Sequence, residues 1–250
     1  HGRVGRPPSG AGLMPGFFLD RLEGERALIR EDAGHIVKTL RRGEGDRVFA
    51  FDGLGNRLEC EIVRADRREV DLRVLSAVPA GTEPRVSVTL YQGLTKAPRM
   101  ELVIQKCVEL GIGAIVPVVF SRCEVRDLGT ERLGRYRKIA REAAKQCGRA
   151  VIPRIGEAIP FSELLQAQEC LICPYEEAEG YGLYRGLLDR AGRGRYGIVV
   201  GPEGGMTREE AHSLREAGGG IVTLGPRILR TETAGMAVLS AMLCVYGEME

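Results

Sequence analysis

Two short segments near the C-terminus carry residues whose types and spacing could do chemistry. Gly201-Pro202-Glu203-Gly204-Gly205-Met206-Thr207 sets one carboxylate between a proline and a pair of glycines. Leu224-Gly225-Pro226-Arg227-Ile228-Leu229-Arg230-Thr231-Glu232-Thr233-Ala234 places two guanidinium groups three residues apart, followed by the Glu232 carboxylate. Glycine lets backbone approach a ligand closely, and a helix start offers unpaired N–H donors. Glu203 is either a solvated turn residue or a carboxylate for a ribose hydroxyl or a cation. Arg227 and Arg230 with Glu232 could be a surface ion pair. A guanidinium at a helix start, however, opposes the positive end of the helix dipole. That placement is easier to understand with an anion lying between them.

The flanking pattern says what must hold these segments. Apolar runs at 196–200 and 221–224 read as buried strands, and each segment leads into a helical pattern, at 208–217 and from 233. Thr207-Arg208-Glu209-Glu210 is a capping box, which makes the first segment a strand-to-helix turn. Two such turns in succession predict one cleft at the carboxyl ends of neighbouring strands. Upstream, strands are expected at 86–92, 114–120 and 170–173, and helices at 98–110, 131–147 and 181–191. On the helix at 131–147, Leu133, Tyr136, Ala140, Ala143 and Cys147 form one apolar stripe. Strands alternating with helices predict an α/β domain with a largely parallel sheet over 85–250. Residues 14–80 read differently. Short alternating strands at 46–52, 58–65 and 69–77, the turn Gly53-Leu54-Gly55-Asn56 and one short helix at 31–40 predict a small β-rich, barrel-like module. Residues 78–84 read as the linker, and residues 1–13 as an upstream extension or cloning remnant, with Met14 as the natural start.

Composition narrows the function. No apolar run reaches the roughly 20 residues that span a bilayer, and residues 1–13 lack the apolar centre of a signal peptide. The seven cysteines are scattered. The pair Cys170 and Cys173 has no second pair to complete a zinc site, so core thiols, no metal and a reducing cytoplasm are expected. The net charge of +2 hides an asymmetry: residues 14–84 carry −2, 85–150 carry +7 and 151–250 carry −5. A concentrated basic block points to a polyanion such as nucleic acid. Within it Arg132, Arg135, Lys138, Arg141, Lys145 and Arg149 recur at helical spacing, forming either a solvated face or a phosphate-binding one. Gly192-Arg193-Gly194-Arg195-Tyr196-Gly197 precedes a strand instead of joining strand to helix, which excludes a dinucleotide fingerprint. A phosphate-binding P-loop is absent, and three histidines without a Gly-x-Ser-x-Gly give poor support to a serine hydrolase.

Together these residues resemble the SPOUT class of methyltransferases, and within it the family that methylates N3 of a uridine in 16S ribosomal RNA. The two C-terminal segments match that family's signature loops. Further matches are Lys96, Ile104-Gln105-Lys106-Cys107-Val108-Glu109-Leu110-Gly111, Pro117, Ser121-Arg122, Ala143-Ala144-Lys145-Gln146-Cys147-Gly148-Arg149, His35-Ile36-Val37-Lys38-Thr39-Leu40-Arg41 and Phe51-Asp52-Gly53-Leu54-Gly55. The resemblance implies a trefoil-knotted C-terminal domain, a PUA-like RNA-binding barrel before it, and a homodimer with the final helix at its interface. The apolar Ala234, Ala237, Val238, Ala241, Met242 and Val245 of that helix fit such a contact. S-adenosylmethionine is the implied cofactor, held by Leu171, Pro174, Gly201, Pro202, Glu203, Gly204, Leu224, Gly225, Ile228, Leu229, Thr233 and Ala234. Ribosomal RNA of the small subunit is the implied partner, bound by Arg21, His35, Arg41, Lys96, Arg122, Arg132, Arg135, Lys138, Arg141 and Arg149, with Arg42 beside them. Arg230 is expected to stabilise the uridine anion as it forms. Glu232 is expected to act as a base or as a carboxylate that positions Arg230. Two other readings remain open: a ribose 2′-O methyltransferase of the same class, and a non-catalytic RNA-binding assembly factor.

Overall fold

A computed structural model describes residues 16–249, so the expectation for residues 1–13 and Met14 lies outside the described residues. The chain divides into two compact units, one of residues 16–83 with 145–151, the other of 84–144 with 152–249.

The first unit is a six-stranded sheet. Strands β1 (Phe17–Phe18), β2 (Arg21–Glu23), β3 (Arg26–Ile29), β4 (Arg47–Phe51), β5 (Asn56–Ala65) and β6 (Val70–Pro79) run in the order β1-β4-β5-β6-β3-β2. All neighbours are antiparallel except β1 and β4. The alternation read from the sequence is what builds its core: Leu58, Cys60 and Ile62 point to one face of β5, and Val70 and Leu72 to the same face of β6. Asp52 makes the hairpin between β4 and β5, accepting from the backbone N–H of Leu54 and Asn56 and from the Asn56 side chain. These bonds stabilise its ionised form and hold its pKa below the usual carboxylate value, against the opposing pull of burial.

Three sequence expectations change here. The helix expected at 31–40 becomes a π-turn, His35–Thr39, closed by the Leu40 N–H on the His35 carbonyl, and still seats Ile36 in the core. The linker begins later than 78, because Val78 and Pro79 pair with Arg57 and Asn56 in the sheet. Residues 145–151 belong to the first unit, where Lys145 meets Asp32 at 2.8 Å and the Val151 backbone bridges to Gly53 and Leu54.

The second unit has a parallel sheet. Its strands are β7 (Ser87–Gly93), β8 (Ala114–Val119), β9 (Arg154–Ile155), β10 (Ile159–Pro160), β11 (Cys170–Pro174), β12 (Arg195–Val200) and β13 (Gly220–Val222). The order is β10-β8-β7-β12-β11-β13, with β9 also paired to β8, and every pairing is parallel. Its helices are α1 (Ala97–Leu110), α2 (Thr130–Cys147, of which the last three residues belong to the first unit), α3 (Phe161–Leu164), α4 (Leu183–Leu188), α5 (Arg208–Glu216) and α6 (Thr231–Val245). The central strands β8 and β12 are nearly continuous apolar runs, and β7 is buried over its last four residues, as strands covered on both faces must be.

The helix expected at 181–191 shrinks to α4, because Gly182 is extended and its neighbours pair with Thr223 through the Thr223 and Leu183 N–H groups. Cys147, expected on the apolar stripe of α2, is exposed. Cys173 is buried on β11, and burial pushes its thiol up to about 12. Among the described residues no helix is long and apolar enough to cross a membrane, and no group of His, Cys, Asp and Glu could hold a metal ion.

Candidate active site

Strands β11, β12 and β13 end side by side, so the chain leaving each reaches the same place. A cavity of about 630 Å³ opens there, within the size range of small-molecule sites. Its walls are residues 174–176, 178, 200–206 and 223–231, with Ala234 from the first turn of α6. The two glycine-bearing segments thus face each other across one space, as their spacing predicts.

Several contacts fix that arrangement. Thr231 donates its hydroxyl to the Gly201 carbonyl at 2.6 Å and accepts from the Gln92 side-chain amide at 2.8 Å, which ties the start of α6 to the first loop and to β7. Gly93, at the end of β7, runs directly beneath the first loop. A Cβ there would sit 2.6 Å from the Gly201 carbonyl carbon and 2.8 Å from Pro202 Cδ, so only glycine fits. The capping box forms as expected: the Glu210 N–H donates to the Thr207 hydroxyl, and the Thr207 N–H donates to the Glu210 carboxylate at 2.8 Å. Glu210 also accepts from the Ser121 N–H and hydroxyl, so one buried carboxylate anchors both α5 and the turn after β8.

The expected site residues divide. Pro174, Gly201, Pro202, Glu203, Gly204, Leu224, Gly225, Ile228, Leu229 and Ala234 all line the cavity, and so does Arg230. Ile228 is 85% exposed at its rim. Leu171 lies outside the lining, buried in mid-strand opposite Gly197. Thr233 is exposed and also outside it, since its place in the first turn of α6 points it away.

Glu232 and Glu203 share a partner that the sequence reading did not name. The Glu232 carboxylate is outside the lining and lies 3.9 Å from Arg99, a side chain in the first turn of α1 that sequence reading passes over. Arg99 also donates to Glu203 at 2.7 Å, and Glu203 accepts from the Lys96 N–H. One guanidinium therefore clasps a carboxylate from each signature segment. Arg227 and Arg230 have no carboxylate partner within salt-bridge distance among the described residues, and both are exposed at the cavity. Tyr175, Glu176, Met206 and Thr231 are among the other residues of the walls. Their signal in sequence was position alone, directly after β11 or beside a signature loop.

The expected RNA-binding cations also divide. Arg149 is buried, its guanidinium paired with Glu83 inside the first unit, and so leaves the basic stripe. Arg122 braces the first loop from behind, donating to the carbonyls of Gly204 and Met206. Lys96 pairs with Glu124, and that pairing lowers the Glu124 pKa. On α2, Lys138 and Arg135 are exposed, the latter paired with Glu101, while Arg132 and Arg141 are half-buried. In the first unit, His35 is exposed, Arg21 pairs with Glu23, Arg42 pairs with Asp46, and Arg41 holds a left-handed φ of 52°. Arg41 is the only non-glycine residue with positive φ among those described.

The comparisons agree with this geometry. The family model of an RNA methyltransferase domain matches residues 82–243, and that of an RNA methyltransferase PUA domain matches 28–75. Fold and cavity together define an RNA methyltransferase of the SPOUT class. The ribosomal RNA small subunit methyltransferase E of Bacillus subtilis is 34% identical, covering 86% of this chain and 88% of that one. The protein of the same name from Mycobacterium tuberculosis is 33% identical, with 90% of each chain covered. The crystal structure of the Neisseria gonorrhoeae protein of that name, bound to S-adenosyl methionine, superposes with a TM-score of 0.82 at 30% identity, covering 93% of this chain and 98% of that one. The chain belongs to the ribosomal RNA small subunit methyltransferase E family.

Proposed function

We propose that this protein transfers a methyl group from S-adenosylmethionine to N3 of a uridine in 16S ribosomal RNA. The observation that carries the reading is the single cavity built from both signature segments, joined by Thr231 on the Gly201 carbonyl. The cavity suits the cofactor chemically. Its first loop is a glycine cradle that leaves backbone N–H and C=O groups for an adenine and a ribose, and Arg227 and Arg230 are open to a carboxylate or to the substrate. When bound, the cofactor supplies an electrophilic methyl on a positively charged sulfur.

The chain's own groups do the rest. Backbone at Gly201, Gly204, Leu224, Gly225 and Leu229 orients the adenosine end. N3 of uridine is a poor nucleophile while protonated, so its proton must pass to water and the resulting charge be offset. Arg230, at the cavity wall, stabilises that charge. Glu232 lies 3.9 Å from Arg99 and outside the cavity lining, so it acts with Arg99 and Glu203 as a clasp between the two loops. Arg99→Ala is expected to raise the cofactor Kd by about three- to fivefold, the modest loss typical of a partly exposed ion-pair network, and titration calorimetry checks it.

Arg132, Arg135, Lys138 and Arg141 are assigned to RNA phosphates, with Arg21, His35 and Arg41 from the barrel-like unit. Replacing Arg135 and Lys138 together by alanine is expected to lower the slope of log affinity against log salt by about 1–2, with cofactor binding unchanged; filter binding across a salt series reads it. An unchanged slope removes those two from the interface.

A homodimer, a cytoplasmic location and a threaded chain path belong to the same proposal. In support of the dimer, α6 carries the half-buried Ala237 and Ala241 and the exposed Cys244, and α4 beside it exposes Tyr184 and Leu188. In support of the thread, β13 lies at the sheet edge while α6 returns to β7 and β12 at its centre. Mass spectrometry of ribosomal RNA from cells lacking the gene, with and without its return, tests the whole. Loss and recovery of one N3-methyluridine is expected. A missing ribose methyl instead would make the protein a 2′-O enzyme, and no change with no cofactor binding would make it an assembly factor.

A further inference from the structure

We infer that the Glu176 carboxylate recognises the positive charge on the cofactor's sulfur, so that the site favours the methyl donor over its demethylated product. The inference rests on the cofactor reading of the cavity. Donor and product differ only at sulfur, which bears a positive charge and a methyl in the donor and neither in the product.

Three glutamates lie in or beside the cavity walls, and their partners separate them. Glu203 is matched by Arg99 at 2.7 Å and Glu177 by Arg208 at 2.7 Å. Glu176 has neither an ion pair nor a hydrogen bond from its side chain to any other described residue, yet it lines the cavity. Its carboxylate rests on the glycine loop. A Cβ on Gly205 would overlap Oε1 and lie 3.4 Å from Cδ, and Gly205 also has a left-handed φ of 70°. The carboxylate is therefore held over bare backbone at the wall of the cavity, with no cation within ion-pair distance among the described residues.

Charge in the cavity is thus laid out by sign. Glu176 follows β11, and Arg227 and Arg230 stand in the segment between β13 and α6. A sulfonium carries no N–H donor, so it cannot be satisfied by hydrogen bonds and is stabilised only by negative charge or by the negative ends of dipoles. An unmatched carboxylate beside a glycine loop supplies that, and Arg227 suits the carboxylate end of the same ligand. Because the charge leaves sulfur as the methyl moves, this attraction is strongest in the ground state and fades towards the transition state. It tightens binding of the donor without lowering the chemical barrier.

The test is calorimetric, on the full chain, with three ligands: S-adenosylmethionine, S-adenosylhomocysteine, and sinefungin, which carries an amine at the place of the sulfonium. Glu176→Gln keeps the side chain's shape, and the exposed position leaves the fold unaffected. The variant is expected to bind S-adenosylmethionine and sinefungin about tenfold more weakly and S-adenosylhomocysteine within about twofold of wild type. In turnover it is expected to raise KM for the donor and to raise kcat by a smaller factor, because part of the ground-state attraction is already lost at the transition state. Equal weakening of all three ligands, or weakening of none, overturns the role given to Glu176 while leaving the cofactor reading intact. Wild-type protein that binds none of the three overturns the cofactor reading, and the inference with it.

Discussion

Arg230→Ala is expected to lower kcat for methyl transfer by about 10²–10³-fold while the cofactor Kd stays within about threefold of wild type. Removing one preorganised group aimed at developing charge has that size of effect in other enzymes. Here the guanidinium stands at the N-cap of α6, lines the cavity and has no carboxylate partner among the described residues. It occupies a position where the helix dipole disfavours a cation, so its placement makes sense through what binds beside it. The cofactor's adenosine end is held by backbone and loses little. Single-turnover kinetics with calorimetry on the same samples separate the two quantities. Lost cofactor binding with residual chemistry intact would reverse the assignment.

Gly93→Ala is expected to destabilise the protein by about 2–3 kcal/mol, at the upper end of overpacking costs, and so to lower Tm by about 4–12 °C for a chain of this size. It is also expected to weaken cofactor binding by more than about tenfold. The added methyl meets Gly201 and Pro202 backbone, which cannot rotate aside as a flexible side chain would. The first loop must lift, and with it one wall of the cavity. Gly134→Ala is the matched control. That glycine lies within α2 with nothing inside 4 Å of its Cβ position, and alanine there is expected to be neutral or slightly stabilising. Scanning calorimetry of both variants checks the pair. Equal melting temperatures for the two would mean that the first loop does not rest on β7.

Much of the site was legible because its chemistry is local. A Gly-Pro-Glu-Gly-Gly run after an apolar strand can hardly be anything but a close-approach turn, and Thr207 with Glu210 announces the next helix. The contact of Glu232 was hidden for the opposite reason. Its partner Arg99 lies far away in sequence, on the first turn of α1, and no local pattern joins them. The pairing of Arg149 was hidden in the same way. That residue keeps the helical spacing of the basic stripe, but the chain leaves α2 at Cys147 and carries Arg149 inward to Glu83. The short α4 reflects a tertiary override of helical pattern, because Tyr181 and Gly182 are drawn into pairing with Thr223.

Local pattern and composition determined the two kinds of architecture, the pair of strand-to-helix turns, and the basic block between them. These depend on periodicity, on turn residues and on charge, all of which are properties of neighbours along the chain. Only the tertiary structure decided which carboxylates are spoken for. Glu203 and Glu232 share Arg99, and Glu176 is left unmatched over a glycine. Whether a charge is paired depends on which distant segments the sheet order brings together, and no spacing within one segment records that.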